Sequence, residues 1–338
     1  MIRTTEIFGL AIFGFAILGL SILGFASAPV RSRPGWRRLG WLAVLAALLA
    51  GCATKPPPVT APPQPASGTP ERREPLKLGL ALGGGAARGF AHVGVIQVLE
   101  EAGLRADMVA GTSAGSVVGA LYASGHGAQQ LQLLAQTMEE AALADWILPI
   151  FNRGVLRGEA LARYVQAQTA GRPIERMSIP LGIVATDLRS GEGVLFRRGD
   201  TGTAVRASSA VPSVFQPVSI GGRDYVDGGL VSPVPVRYAR QMGADVVLAV
   251  DIASAPESNP ARDSLQILLQ TFTIMGRSIS DWELRDADVV VRPAMVDVSS
   301  TDFAARRRAI EAGRQAMQAA LPALRNALAA KAAGRLSH

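Results

Sequence analysis

Cysteine occurs once in the 338 residues, at Cys52, and histidine three times, at His92, His126 and His338. One cysteine excludes an internal disulfide framework and any multi-cysteine zinc site. So few histidines leave little material for a histidine-built metal centre, and neither a metal nor a cofactor is expected. Charged residues make up 18% of the chain against 49% hydrophobic, a balance that excludes a disordered chain. The net charge of +7 is unevenly placed: Arg3, Arg31, Arg33, Arg37 and Arg38 against Glu6 give residues 1–51 a charge of +4, leaving +3 for the rest. The basic balance thus reflects an N-terminal arginine cluster and scattered arginines, so nucleic acid is not an expected partner.

Long apolar runs, by contrast, are present near the N-terminus. Residues 7–26 repeat a pentapeptide with Gly9, Gly14, Gly19 and Gly24 in register. The run is long and apolar enough to span a bilayer, and is read here as a low-complexity extension from a start codon placed upstream. Next, Arg31, Arg33, Arg37 and Arg38 precede the apolar run 39–49, which ends in Leu49-Ala50-Gly51-Cys52. Basic, apolar and small residues in that order make a secretory signal peptide with an h-region short for a membrane span. Leu-Ala-Gly-Cys resembles the bacterial lipobox, in which the cysteine sulfur receives a diacylglycerol and the chain is cleaved before it. The alternative is a buried cysteine closing a short apolar helix. The lipobox implies a lipid anchor on Cys52 in the bacterial cell envelope, and Ala53 after it resembles lipoproteins sent to the outer membrane, facing the periplasm. Residues 52–75 are proline-rich and aperiodic, which describes an extended spacer. The chain thus divides into an extension with signal peptide (1–51), a linker (52–75), a folded body (76–320) and a helical tail (321–338).

From Leu76 onward, short apolar strands alternate with helical patterns, the signature of an α/β fold with a mostly parallel sheet covered on both faces. Strands are expected over 76–82, 107–110, 179–187, 193–199, 245–251 and 288–293, with a hairpin over 217–229 that turns at Gly221-Gly222. Helices are expected over 89–102, 113–124 and much of 128–170. An alanine-rich helical tail over 302–333 is expected to break at Pro322.

Three motifs carry chemistry. Gly111-Thr112-Ser113-Ala114-Gly115 is a GxSxG set between a strand and a helix, where a strained turn with small neighbours exposes a serine hydroxyl at a helix N-terminus. Its bland counterpart is a glycine-lined tight turn. Gly83-Gly84-Gly85-Ala86-Ala87-Arg88-Gly89 follows the first strand, and such a loop lets backbone N–H groups converge on a phosphate or on an oxyanion. The dinucleotide spacing G-x-G-x-x-G fails in both registers, through Arg88 or Ala86, and no GK[ST] is present, which leaves the oxyanion hole as the better reading. Asp227-Gly228-Gly229 follows the hairpin and reads equally as an ordinary turn. Ser113 needs a base, however. His92 lies on a helical pattern suited to a packed core histidine, and His126 sits in a surface-type loop. Asp227 is the carboxylate flanked by residues small enough to approach the turn.

Taken together, GGGAARGFAHVGVIQVLEEAG, GTSAGS, ATDLRSGEGVLF, AVRASSAVPSVFQPV and DGGLVSPVPV, in this order, resemble the bacterial patatin-like phospholipase family over about residues 76–320. The resemblance implies a three-layer α/β/α sandwich. It implies a serine–aspartate dyad for lipid acyl esters, with Ser113 as nucleophile and Asp227 as proton acceptor. The oxyanion donors would be the amides of Gly84, Gly85 and Ala86, with Arg88 in the glycine loop. Ala86 stands where many relatives carry glycine, and Ser232 where they often carry asparagine. The expected partners are a lipid or phospholipid substrate and, through Cys52, a membrane. Apolar helices within 128–170 are expected to cover an acyl pocket. The reading from a different class is a catalytically silent, lipid-binding envelope scaffold of the same fold.

Overall fold

The strand Leu78–Leu82 (β1) is five apolar or glycine residues without a polar break, all buried. Met108–Thr112 (β2) and Val246–Val250 (β7) are also buried throughout, as strands covered on both faces must be. The structure, a computed structural model, describes residues 75–138, 157–253, 262–295, 298–299 and 302–336. The expectations for the extension, signal peptide, Cys52 and spacer up to residue 74, for 139–156 and for His338 lie outside the described residues.

Eight strands form one sheet in the order β5-β6-β3-β2-β1-β7-β8, with β4 also paired to β3. β1 runs parallel to β2 and β7; β2 is parallel to β3 (Leu181–Asp187), and β7 to β8 (Val289–Val291). β3 is antiparallel to β4 (Gly193–Phe196) and to β6 (Arg223–Asp227), which closes a hairpin with β5 (Val218–Ile220). The hairpin turns at Gly221-Gly222, both at positive φ, as expected. The parallel core with an antiparallel flank is the mixed, mostly parallel sheet anticipated.

Alternation along the strands feeds two cores. Leu78, Leu80 and Leu82 of β1 and Val246, Leu248 and Val250 of β7 point to one side. There they meet α1 (Ala91–Glu101), α2 (Ala114–Ala123) and the long α8 (Arg306–Leu336). Ala81, Val247 and Ala249 point to the other side, against α6 (Val236–Gln241) and Leu284. Three further helices, α3 (Ala128–Thr137), α4 (Glu159–Gln168) and α5 (Thr201–Ser208), complete the cover on the side of β2 and β3.

Among the departures from the sequence pattern, two are the largest. α8 does not break at Pro322 but runs through it, so the position taken as the start of a tail falls inside one helix. A proline in mid-helix costs about 3 kcal/mol. Here Met317 and Leu324, one on each side of the proline and both fully buried, hold the helix against the sheet, so packing overrides the local penalty. The second departure is α7 (Ser264–Glu283), a helix of 20 residues in a segment to which the pattern assigned nothing.

Candidate active site

The turns that follow β1, β2 and β6 meet at one place. β2 continues through Thr112, two residues beyond the expected strand end, and Ser113 then takes φ 52° and ψ −122° before α2 begins. A non-glycine residue in that region is strained, and the turn holds because its neighbours leave room. A Cβ at Gly111 would come within 2.6 Å of the Gly115 carbonyl oxygen, and one at Gly115 would enter the carbonyls of Leu82 and Gly83. The Ser113 amide donates to Ser208 Oγ (2.9 Å), whose own proton goes to the Val184 carbonyl (2.6 Å). The Ser113 carbonyl accepts from Ser116 Oγ (2.6 Å). Both main-chain ends of Ser113 are therefore fixed, and the side chain remains directed into the cleft.

Asp227 ends β6. Its main chain is held by Ala210, whose carbonyl accepts the Asp227 amide (2.9 Å), and by Thr186 Oγ1, which donates to the Asp227 carbonyl (2.8 Å). The carboxylate accepts from the Gly229 amide (2.6 Å), and the Ser113 side chain lines the cleft beside it. Burial disfavours the charged form and pushes the Asp227 carboxyl up to about 6, against the opposing pull of the Gly229 amide and of the neighbouring Ser113. Ser113 and Asp227, remote in sequence, thus line the same cleft side by side.

The glycine loop lies beside them, close enough that a Cβ at Gly84 would be 3.1 Å from Ser113 Cβ. Its amides do not all face the cleft. Gly83 donates to the Val250 carbonyl (3.0 Å) and Gly84 to that of Pro233 (2.9 Å). This corrects the expectation for Gly84, whose N–H is committed to a long-range backbone bond. The amides of Gly85 and Ala86 make no hydrogen bond to another described group, and Ala86 sits at φ 50°, turning the chain into the short 3-10 turn Ala86–Phe90. Arg88 is buried and lines the cleft, and its Nε has no hydrogen-bond partner among the described residues. Burial lowers its pKa and Asp251 opposes that. Gly89 lies in the 3-10 turn, and Gly228 packs against the Val184 carbonyl, where no side chain fits.

Neither described histidine lines this cleft. His92 is fully buried, its Nε2 2.8 Å from the Gly83 carbonyl, which makes Nε2 the protonated nitrogen. Burial drops its pKa to about 4, so it is a neutral core residue that props the glycine loop. His126 lies between α2 and α3, beside Ser124.

A cleft of about 560 Å³ opens over Ser113 and Asp227. Its floor is the three turns, and its walls include Val214 and Phe215 on one side and Leu269, Phe272, Thr273 and Gly276 of α7 on the other. The described residues of 128–170 do not line this cleft, and 139–156 lie outside the described residues; α7 forms one wall. Two signals in the sequence mark α7: Asp263 as N-cap, accepting from the Gln266 amide (2.8 Å), and Gln266 itself three positions on. Ser208 and Phe215 fall within a quoted motif, but no residue type there marks their roles. A hydroxyl beside a buried carboxylate, with unengaged amides across an apolar cleft, suits attack on an ester carbonyl.

Residues 80–240 match a family model described as patatin-like phospholipase. An uncharacterised NTE family protein of Mycobacterium tuberculosis (strain ATCC 25618 / H37Rv) is 38% identical over 189 residues, 56% of this chain and 52% of that protein. The human patatin-like phospholipase domain-containing protein 6 is 31% identical over 233 residues, 66% of this chain and 16% of that protein. The chain thus spans about half the length of the first relative and a much smaller share of the second. Among solved structures, VipD from Legionella pneumophila superposes with a TM-score of 0.50 at 14% identity, covering 74% of this chain and 67% of that one. That likeness is one of fold.

Proposed function

We propose that this chain, which belongs through residues 80–240 to the patatin-like phospholipase family, hydrolyses acyl ester bonds of lipids through a covalent acyl-enzyme on Ser113. The observation that carries the reading is the convergence of Ser113 and Asp227 on the floor of one apolar cleft, beside the glycine loop. Ser113 Oγ attacks the acyl carbonyl carbon while Asp227 takes its proton. The carbonyl oxygen, now negative, is received by the Gly85 and Ala86 amides, and loss of one such donor costs roughly 10²–10³ in rate. Collapse of this intermediate returns the proton from Asp227 to the departing alcohol. Water, deprotonated by the same carboxylate, then releases the fatty acid and restores Ser113.

An aspartate of ordinary pKa, about 3.9, is a weak base for a serine. Burial corrects this in part, since a carboxyl near 6 is a better proton acceptor and is still ionised at neutral pH. The apolar walls suit an acyl chain rather than a polar substrate. Lipid attachment at Cys52 completes the proposal: the diacylglycerol would hold the protein at the outer membrane, facing the periplasm, at about 0.8 kcal/mol per buried CH₂.

Incubating wild type and Ser113→Ala with mixed membrane phospholipids, then identifying the released products, tests the activity. Fatty acid and lysolipid should appear with wild type alone. Equal release by both, or none from a wild type that also resists a fluorophosphonate probe, would instead favour the silent scaffold. Replacing Cys52 by serine should move the protein from the membrane to the soluble fraction.

A further inference from the structure

The segment Ser232-Pro233 touches all three turns of the site without Ser232 lining the cleft. The Ser232 carbonyl accepts from Thr112 Oγ1 (2.8 Å), the residue before Ser113. The Ser232 amide donates to the carbonyl of Gly228 (2.9 Å), the residue after Asp227. The carbonyl of Pro233 accepts the Gly84 amide (2.9 Å) of the glycine loop. One dipeptide therefore sets the spacing of nucleophile, base and oxyanion loop.

What fixes that dipeptide is a carboxylate on α7. Ser232 Oγ lies 2.7 Å from Oε2 and 2.9 Å from Oε1 of Glu283, so its single proton goes to that group. Glu283 is buried at the C-terminal end of α7 and is also held by Arg237 Nε of α6 (2.9 Å). Burial pushes its carboxyl up to about 7, with the Ser232 and Arg237 contacts opposing and Asp286 adding to the rise; Tyr238 of α6 feels the same charge. A buried ion pair adds little net stability over a well-packed apolar side chain, so stability alone gives weak reason for a glutamate here. Its hydrogen bonds, however, impose one geometry on Ser232.

We propose that Glu283 is a positioning residue, which through Ser232-Pro233 holds the turns bearing Ser113, Asp227 and Gly84 in register and ties that register to α7, the wall of the cleft. The inference rests on the catalytic reading above. It requires that loosening Glu283 spoil the alignment of Ser113 while leaving binding of the acyl group largely intact.

The test measures kcat and KM for a p-nitrophenyl ester, and the fluorophosphonate labelling rate of Ser113 per folded molecule, in wild type, Glu283→Gln, Glu283→Ala and Ser232→Ala. Misplacement of reacting groups by about 1 Å costs on the order of 10²-fold, so Glu283→Ala should lose about that in kcat and in labelling rate, with KM within about twofold. Glu283→Gln, which still accepts from Ser232, should recover much of the loss. The double variant Glu283→Ala/Ser232→Ala should be no slower than Glu283→Ala alone, because both changes cut the same link. Wild-type kcat and labelling in folded Glu283→Ala would overturn the inference and leave the dyad untouched. If Glu283→Ala does not fold, Ser232→Ala decides the matter, since it removes only a hydroxyl; wild-type rates in that variant overturn the inference. A wild type that neither turns over nor labels overturns the catalytic reading, and this inference with it.

Discussion

The two sides of the cleft are built by different means. The floor hangs from β1, β2 and β6; the first two are buried along their whole length, and the side chains in the turns after them are almost all small. The wall formed by α7 has only Ser280 and Glu283 buried among its 20 residues. Its outward face leaves Ile267 54%, Ile274 50%, Met275 55% and Trp282 62% exposed. On the floor, tight backbone turns set the placement of Ser113 and Asp227, and a methyl group at Gly111, Gly115 or Gly228 is too much. On the wall, side chains of α7 shape the cleft, which on the proposed reading is the space for an acyl chain. The proposed function thus places reactivity and selectivity in separate elements, which the Ser232–Glu283 hydrogen bonds connect.

The comparison can be broken most forcefully on the floor. Asp227→Asn should lower kcat by about 10²–10⁴-fold while the protein stays folded, measured with a p-nitrophenyl ester. The same variant sharpens the reading of burial. Because the folded carboxyl titrates near 6 and the unfolded one near 3.9, stability present below about pH 4 is lost as pH rises through 6, by up to about 3 kcal/mol. The melting temperature of Asp227→Asn relative to wild type should therefore rise between pH 4 and pH 7; no change would contradict a desolvated aspartate. Gly115→Val drives a side chain into the carbonyls of Leu82 and Gly83 and should cost about 3 kcal/mol or more in a denaturant titration.

On the wall, effects should be smaller and of another kind. Phe272→Ala enlarges the acyl space and should change the ratio of kcat/KM for long against short chain esters by about tenfold, with Ser113 labelling by a small fluorophosphonate unaltered. Smallest of all, Ile274→Ser on the outward face should move stability by less than about 0.5 kcal/mol. A loss of several kcal/mol there would mean that α7 is not the lightly held wall described.

The same contrast explains what was legible in the sequence. The strand before the glycine loop, the serine turn and the Gly221-Gly222 hairpin each follow from local rules, because small residues and buried apolar runs have few conformations to choose from. α7 escaped because its apolar residues face two ways, Leu269 and Phe272 to the cleft and Ile267 and Ile274 to solvent, which blurs any helical stripe. Pro322 misled because a local rule was overruled by packing at Met317 and Leu324. The commitment of the Gly84 amide to Pro233 joins residues some 150 positions apart, and Glu283 reaches Ser232 across 51 positions. Pairings of that kind belong to the fold and leave no local mark.

The central claim is that the Asp227 carboxylate activates the Ser113 hydroxyl. Its most direct measurement is the rate at which a fluorophosphonate modifies Ser113, followed by intact mass from pH 4 to 9 in wild type and in Asp227→Asn. The account predicts a wild-type rate that climbs through about pH 6 as Asp227 ionises, and an Asp227→Asn rate that is far lower and shows no such rise. Equal rates in the two proteins, or a wild-type profile flat across that range, would contradict it.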